Sequence, residues 1–357
     1  MISITNRSVL GRLFKLNSAI LPQFNPSKTM ASQSDKRFKV LVTSPEVPKA
    51  AIDLLKKSCD VTICETLPPE RSEMLKKVPG VDGVLWGTYD KLNDEVLDTA
   101  GETLKVISTM SSGIDYVDQP ALKRRKVQLG HTPVVVNEPV AELTIALMVA
   151  AARRFHEGRL HIENETWITW SHKWMLGYDI KGSTVGIVGF GGIGQSIAQR
   201  LQGYEIKELL YTGRNEKPEA KKYNAKYVSF DELLKTSDFV IAACPLTPET
   251  KEMFNEAAFN KMKPTSIFVN VARGQIADQK ALYNALKNHT IFAAGLDVMT
   301  PEPLPKDDPL MTLPNCVIIP HLGTATEKAT ENMALVAAHN VLRGLAGEPM
   351  ISPAYQL

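Results

Sequence analysis

Three short segments of this 357-residue chain each set a reactive group just past an apolar run. They read Val269-Asn-Val-Ala-Arg273-Gly274, Asp297-Val-Met-Thr-Pro-Glu302-Pro303 and Ile319-Pro320-His321-Leu322-Gly323. Short apolar runs of this kind predict buried strands, and ligands of open α/β sheets bind beyond the carboxyl ends of their strands. An arginine there is a planar, permanently charged fork suited to an oxyanion. A carboxylate can fix the tautomer and charge of an imidazole, and an imidazole can pass a proton near neutral pH. Singly, each group also has a plain structural reading: a surface arginine, an acid in a turn, a histidine capping a loop. Jointly they supply an anion clamp, an acid and a proton donor.

The element that must position them is announced by Thr184-Val-Gly-Ile-Val-Gly-Phe-Gly-Gly-Ile-Gly194. An apolar strand enters glycines at 189, 191 and 194, and Ile197, Ala198 and Leu201 then recur at helical spacing. This is the G-x-G-x-x-G dinucleotide fingerprint, with an ordinary strand-to-helix turn as the alternative. Gly189 permits the sharp turn, Gly191 lets backbone approach a pyrophosphate, and Gly194 brings the helix close to its strand. With Gly192 and Ile193 they form a turn whose helix N-terminus offers free N–H groups to phosphates.

The next strand, Glu208-Leu-Leu-Tyr-Thr212, ends in Gly213-Arg214 rather than in the acid that holds an NAD ribose. Gly213 makes room, Arg214 offers a fork to a 2′-phosphate, and Lys217 adds a second cation. The pattern favours NADPH, with NADH as the weaker alternative. A solvated surface arginine is the competing reading.

Composition bounds the rest. At 44% hydrophobic residues and net charge +2, the chain can build two cores and shows no signature of nucleic-acid binding. Its longest apolar stretch, Leu143 to Ala152, is too short for a membrane span. Cys59, Cys64, Cys244 and Cys316 have no zinc spacing, so no metal site is expected. Residues 1–34 are basic and free of acids, and Val9, Leu10, Leu13 and Phe14 can share a helix face. That is transit-peptide character, implying mitochondria for the full chain and the cytosol for a product begun at Met30; a disordered tail is the alternative.

Short strands alternate with helical patterns both before and after the fingerprint. The fold class is therefore α/β, with two doubly wound parallel-sheet domains, one inserted into the other. A discontinuous substrate domain is expected over 35–138 plus 324–357, and a Rossmann domain over 139–323. Pro139 is expected to open a long helix ending at Arg153-Arg154.

The ordered motifs Met110-Ser-Ser-Gly-Ile-Asp115, Cys244-Pro-Leu-Thr-Pro-Glu-Thr250, Ala272-Arg-Gly, Gly295-Leu-Asp-Val, Pro301-Glu-Pro and Pro320-His-Leu-Gly accompany the fingerprint. Over roughly residues 38–350 the chain resembles the D-isomer-specific 2-hydroxyacid dehydrogenases, and within them the glyoxylate/hydroxypyruvate reductases. The resemblance implies a flavodoxin-like substrate domain and Arg273, Glu302 and His321 as catalytic residues. It also implies a substrate loop at Ser112 and Gly113, Asp297 against the nicotinamide carboxamide, and Pro245, Val271 and Gly323 lining the cofactor. A buried Asp closing a turn is the alternative for Asp297. It implies a homodimer, in which Trp170 borders the partner's substrate pocket; a core face is the alternative for Trp167, Trp170 and Trp174. The implied activity is NADPH-dependent reduction of small 2-oxo acids, glyoxylate to glycolate and hydroxypyruvate to D-glycerate. A broader 2-hydroxyacid dehydrogenase, an NAD-dependent phosphoglycerate dehydrogenase and a non-catalytic dinucleotide-sensing corepressor stay open. Gly192 departs from the charged or bulky residue that many members carry there.

Overall fold

A computed structural model describes residues 37–168 and 171–356, so residues 1–34 and Trp170 lie outside the described residues. The described residues form two compact units: 37–132 with 331–356, and 133–330. The sequence placed these changeovers a few residues away, at 138/139 and 323/324.

The first unit holds a five-stranded parallel sheet, β1 (Phe38–Val42), β2 (Cys59–Ile63), β3 (Gly83–Trp86), β4 (Val106–Thr109) and β5 (Gln128–Gly130). Its order, β2-β1-β3-β4-β5, is the flavodoxin-like doubly wound arrangement. Helices α1 (Lys49–Lys56), α2 (Arg71–Lys77), α3 (Asp94–Ala100) and α4 (Gln119–Arg124) connect the strands. β3 and β4 are buried throughout, as an apolar run covered on both faces must be.

The C-terminal stretch completes this unit. On the long helix Glu327–Leu345, the residues Ala334, Ala337, Ala338, Val341, Leu342 and Leu345 recur at helical spacing and pack on Val40, Val42, Leu85 and Val106. Buried Asn340 donates to Ser108 Oγ and to the His131 carbonyl (both 3.2 Å), and its Oδ1 accepts from Ser352 N (3.2 Å). Ala354 N donates to Leu129 O (2.8 Å) and Tyr355 Oη to Val127 O (2.6 Å), so the chain end is fastened beside β5.

The second unit holds seven parallel strands in the order β12-β11-β10-β9-β6-β7-β8. They are β6 (Thr184–Val188), β7 (Glu208–Thr212), β8 (Ala225–Tyr227), β9 (Phe239–Ala242), β10 (Ile267–Asn270), β11 (Ala293–Leu296) and β12 (Cys316–Ile318). Counted from β6 this is the Rossmann order, extended by one edge strand, and it reverses between β6 and β9. Its helices are α5 (Asn137–Ala152), α6 (Phe155–Glu163), α7 (Gly192–Leu201), α8 (Phe230–Thr236), α9 (Glu256–Phe259) and α10 (Gln279–Lys287). α5 begins two residues before Pro139, which falls in the first turn where a missing N–H breaks no helical bond. Glu138 is therefore the first-turn acid, and with Glu142 it pairs with Arg200 of α7. Ser229 and Asp278 cap α8 and α10. No helix among the described residues is long and apolar enough to cross a membrane.

Candidate active site

In the seven-stranded unit, successive strand-end loops touch one another across the sheet. Gly189 has φ +99, and a Cβ there would meet Cys244 N at 2.6 Å, so the fingerprint turn lies directly on the loop after β9. Val271 N donates to Ala242 O (3.3 Å), joining that loop to the one after β10. A Cβ on Gly274 would meet Met299 O at 2.0 Å, so the loop carrying Arg273 presses on the loop carrying Glu302. Asp297 then reaches the loop after β12, which carries His321.

His321 Nδ1 and Glu302 Oε2 are 2.8 Å apart, with side chains 30% and 36% exposed, so the pair is formed and still open to a ligand. Glu302 Oε1 accepts from Met299 N (3.1 Å). Burial pushes the Glu302 carboxyl up, but the His321 hydrogen bond and charge, the Met299 N–H and the nearby Arg273 charge together hold it below the usual carboxylate range. A carboxylate so held accepts the Nδ1–H of His321 and fixes its tautomer. Arg273 Nη1 donates to Ala272 O (2.8 Å). Its loop is held by Asn270, whose Nδ2 donates to Arg273 O (2.9 Å) and whose Oδ1 accepts from Ala272 N (3.1 Å).

Asp297 is buried and its two carboxylate oxygens accept from Leu322 N (2.5 Å) and Gly323 N (3.0 Å), while its carbonyl accepts from His321 N (2.8 Å). Burial raises its pKa, against the opposing pull of these N–H groups and the His321 charge. The turn-closing role is thus observed directly, and each oxygen keeps a second lone pair for a carboxamide donor. His321 sits at φ +52, a left-handed conformation that a histidine adopts at a cost and that these three bonds hold in place.

The dinucleotide turn has the space a pyrophosphate requires. A Cβ on Gly191 would meet nothing within 4 Å, so the backbone at the start of α7 is open to a ligand. A Cβ on Gly194 would meet Gly189 O at 2.3 Å, the close helix–strand approach expected of the third glycine. Gly192 answers a different need: a Cβ there would lie 2.4 Å from Asn137 Nδ2, so the Asn137 carboxamide occupies the place of a side chain at 192. At the end of β7, Gly213 is also open, and Arg214 and Lys217 are exposed beside it. Glu249, whose carboxyl is lowered mainly by a Thr247 hydrogen bond, also feels the Arg214 charge. Thr250 Oγ1 donates to Pro245 O (2.7 Å) and fixes the loop after β9. The residues present therefore fit a nicotinamide dinucleotide.

Ser112 and Gly113 lie in the other unit, in the loop after β4. Buried Ser111 donates to Gly113 O (2.8 Å), Tyr116 Oη lies 2.7 Å from the same hydroxyl, and His131 Nδ1 is 3.1 Å from Ser112 O. Trp167 is 63% exposed, which removes it from any core face of the described chain, while Trp174 meets His161 edge-on at 5.3 Å. A cavity of about 500 Å³, lined in part by Arg153, Tyr178, Lys181 and Tyr204, lies toward the opposite end of β6 and contains none of these groups. No group of three metal-ligating side chains occurs among the described residues.

Asn137, Asn270 and Gln279 were not singled out by their sequence context. Gln279 Oε1 accepts from Thr300 N (2.9 Å) and its Nε2 donates to Asp308 (2.9 Å), holding the Glu302 loop. Only Asn270 carried a signal, a turn-forming amide at the end of an apolar strand.

A Rossmann sheet whose strand ends gather an acid-held histidine and an arginine beside a dinucleotide turn defines a nicotinamide-dependent oxidoreductase. The chain belongs to the D-isomer specific 2-hydroxyacid dehydrogenases, whose NAD binding domain model matches residues 145–323, and it acts on the CH–OH group of 2-hydroxy acids. It is 46% identical over 286 residues to the human glyoxylate reductase/hydroxypyruvate reductase, covering 80% of this chain and 87% of that protein. It is 40% identical over 321 residues to a glyoxylate reductase of Thermococcus kodakarensis, covering 87% and 94% of the two chains. Among solved structures it superposes with TM-score 0.80 on a protein from Thermus thermophilus, at 40% identity, covering 89% of this chain and all of the other. A glyoxylate reductase from Paecilomyes thermophila gives TM-score 0.80 at 28% identity, covering 89% and 98%.

Proposed function

We propose that this dehydrogenase reduces glyoxylate to glycolate and hydroxypyruvate to D-glycerate, with NADPH preferred over NADH. The observation that carries the chemistry is the His321–Glu302 pair with the Arg273 charge beside it. The names of the similar human and Thermococcus enzymes support the substrates.

The bound nicotinamide supplies the hydride that the 2-oxo carbon receives. Arg273 holds the substrate's carboxylate or carbonyl oxygen by charge-assisted hydrogen bonds, each worth about 1.5–3 kcal/mol. It also stabilises the negative charge that grows on the carbonyl oxygen. His321 passes the Nε2 proton to that oxygen, and Glu302 keeps the resulting neutral imidazole protonated on Nδ1.

Gly213, Arg214 and Lys217, with no acid at the tip of β7, support the NADPH preference. The exposed Phe155, Ile162, Trp167, Ile168 and Leu176 in and after α6 support a homodimer through this segment. Steady-state assays with NADPH or NADH against glyoxylate, hydroxypyruvate and longer 2-oxo acids test the activity. Faster turnover of the longer acids would replace the substrate reading, and no turnover with any would leave a binding module. Light scattering in solution tests the dimer, which a monomer mass would exclude.

A further inference from the structure

We propose that Tyr211 and Tyr227 set the cofactor preference from behind, as positioning residues that hold Gly213–Lys217 in the conformation presenting Arg214 to a 2′-phosphate. The proposal rests on the NADPH reading above.

Residues 213–219 are all exposed, so no core fixes this loop. Two phenols fix it instead. Buried Tyr211, next to last in β7, accepts a hydrogen bond from Lys217 N at 2.8 Å. Tyr227, at the end of β8, donates to Gly213 O at 2.9 Å. Each end of the loop is therefore tied to a different strand.

The two tyrosines are register partners across the β7–β8 ladder, with ring centroids 5.4 Å apart. Paired residues on neighbouring strands share a face, so the second hydroxyl arrives in place because the first strand sets it. Phe190, buried, also packs on Tyr211, with ring centroids 4.4 Å apart. Phe190 is the residue between Gly189 and Gly191. One aromatic column thus runs from the pyrophosphate turn to the loop carrying Arg214 and Lys217. It holds the two phosphate-facing segments at a set separation.

The consequence is preorganisation. A free exposed loop would lose backbone freedom on gripping a phosphate, and that loss would weaken NADPH binding alone. NADH makes no demand on Arg214, so its binding is insensitive to how the loop is held.

The test is KM and kcat for both cofactors in wild type, Arg214→Ala, Tyr227→Phe and the double variant. Tyr227→Phe keeps the ring, and with it the stack, and deletes only the hydroxyl. The expected result is a KM for NADPH raised about fivefold, the worth of one neutral hydrogen bond, with kcat and the KM for NADH within about twofold of wild type. In the double variant Tyr227→Phe should add nothing to Arg214→Ala, because it acts through Arg214. Equal losses for both cofactors, or additive losses in the double variant, would overturn the proposal. An altered cofactor ratio in Arg214→Ala beside an unaltered one in Tyr227→Phe would overturn it alone. An unaltered ratio in Arg214→Ala would overturn the NADPH reading and the proposal with it.

Discussion

The seven-stranded unit is one continuous stretch, Pro133–Thr330, whereas the five-stranded unit is closed by two, the second being Glu331–Leu357. Both are parallel sheets with apolar strands, yet they use buried polar groups differently. In the seven-stranded unit, Asp297 and Asn270 hold loops that carry His321 and Arg273. In the five-stranded unit, Asn340 ties Ser108, His131 and Ser352 together and closes the fold. Hydrogen bonding of the same kind thus serves a site in one unit and the joining of two chain segments in the other.

If that division is right, substitutions in the two units should fail in different ways. The largest effect is expected from Arg273→Ala, which should lower kcat/KM for glyoxylate about 10³-fold, roughly 4 kcal/mol of transition-state stabilisation, with the melting temperature nearly unchanged. A collapse of the melting temperature would show that Arg273 belongs to the architecture. Asn340→Leu should do the reverse. It strands the Ser352 N–H and leaves the His131 carbonyl only its Ser352 Oγ donor, and should cost about 2 kcal/mol in urea unfolding, while cofactor binding, followed by fluorescence, stays close to wild type. Loss of NADPH binding at full stability would break the comparison.

Glu302→Gln should lower kcat about 10²-fold, through loss of the carboxylate that orients His321. It also carries a pH signature. A carboxyl held below its ordinary value of about 4.3 contributes stability above that pH and loses it as pH falls through its lower folded value. The wild-type advantage in melting temperature over Glu302→Gln should therefore be present at pH 6 and shrink below pH ~4. An advantage independent of pH would exclude an ionic role for this carboxylate.

The smallest effect is expected in the five-stranded unit. Burial lowers the pKa of His131, against the opposing Ser112 carbonyl. The fold holds it neutral while the unfolded chain protonates it near pH ~6.5, so stability falls as pH drops below that value. His131→Asn should be less acid-sensitive than wild type in urea unfolding between about pH 7 and 5.5. Equal acid-sensitivity would place the titration elsewhere.

Much of this was legible in the residues. Phe239–Ala242, Ile267–Asn270 and Ala293–Leu296 are strands, and each is the short apolar run, cut off by polar or turn residues, that a strand buried on both faces leaves in a sequence. β8 was not anticipated: its three residues, Ala225–Tyr227, are mostly exposed and carry no apolar run. Gly192 is the sharper case. Its sequence showed a missing side chain, and only packing shows that Asn137 fills the space.

The sequence by itself determined the glycine turn and the three strand-end groups. Each of these depends on neighbours a few residues apart, where periodicity and residue type act directly. Tertiary structure alone decided that Glu302 meets His321 Nδ1, that Asp297 suspends the His321 loop, and that Tyr211 and Tyr227 pin the Arg214 loop. Those pairings depend on strand register and on how closely adjacent loops pack, and both are settled only when the sheet closes on its helices.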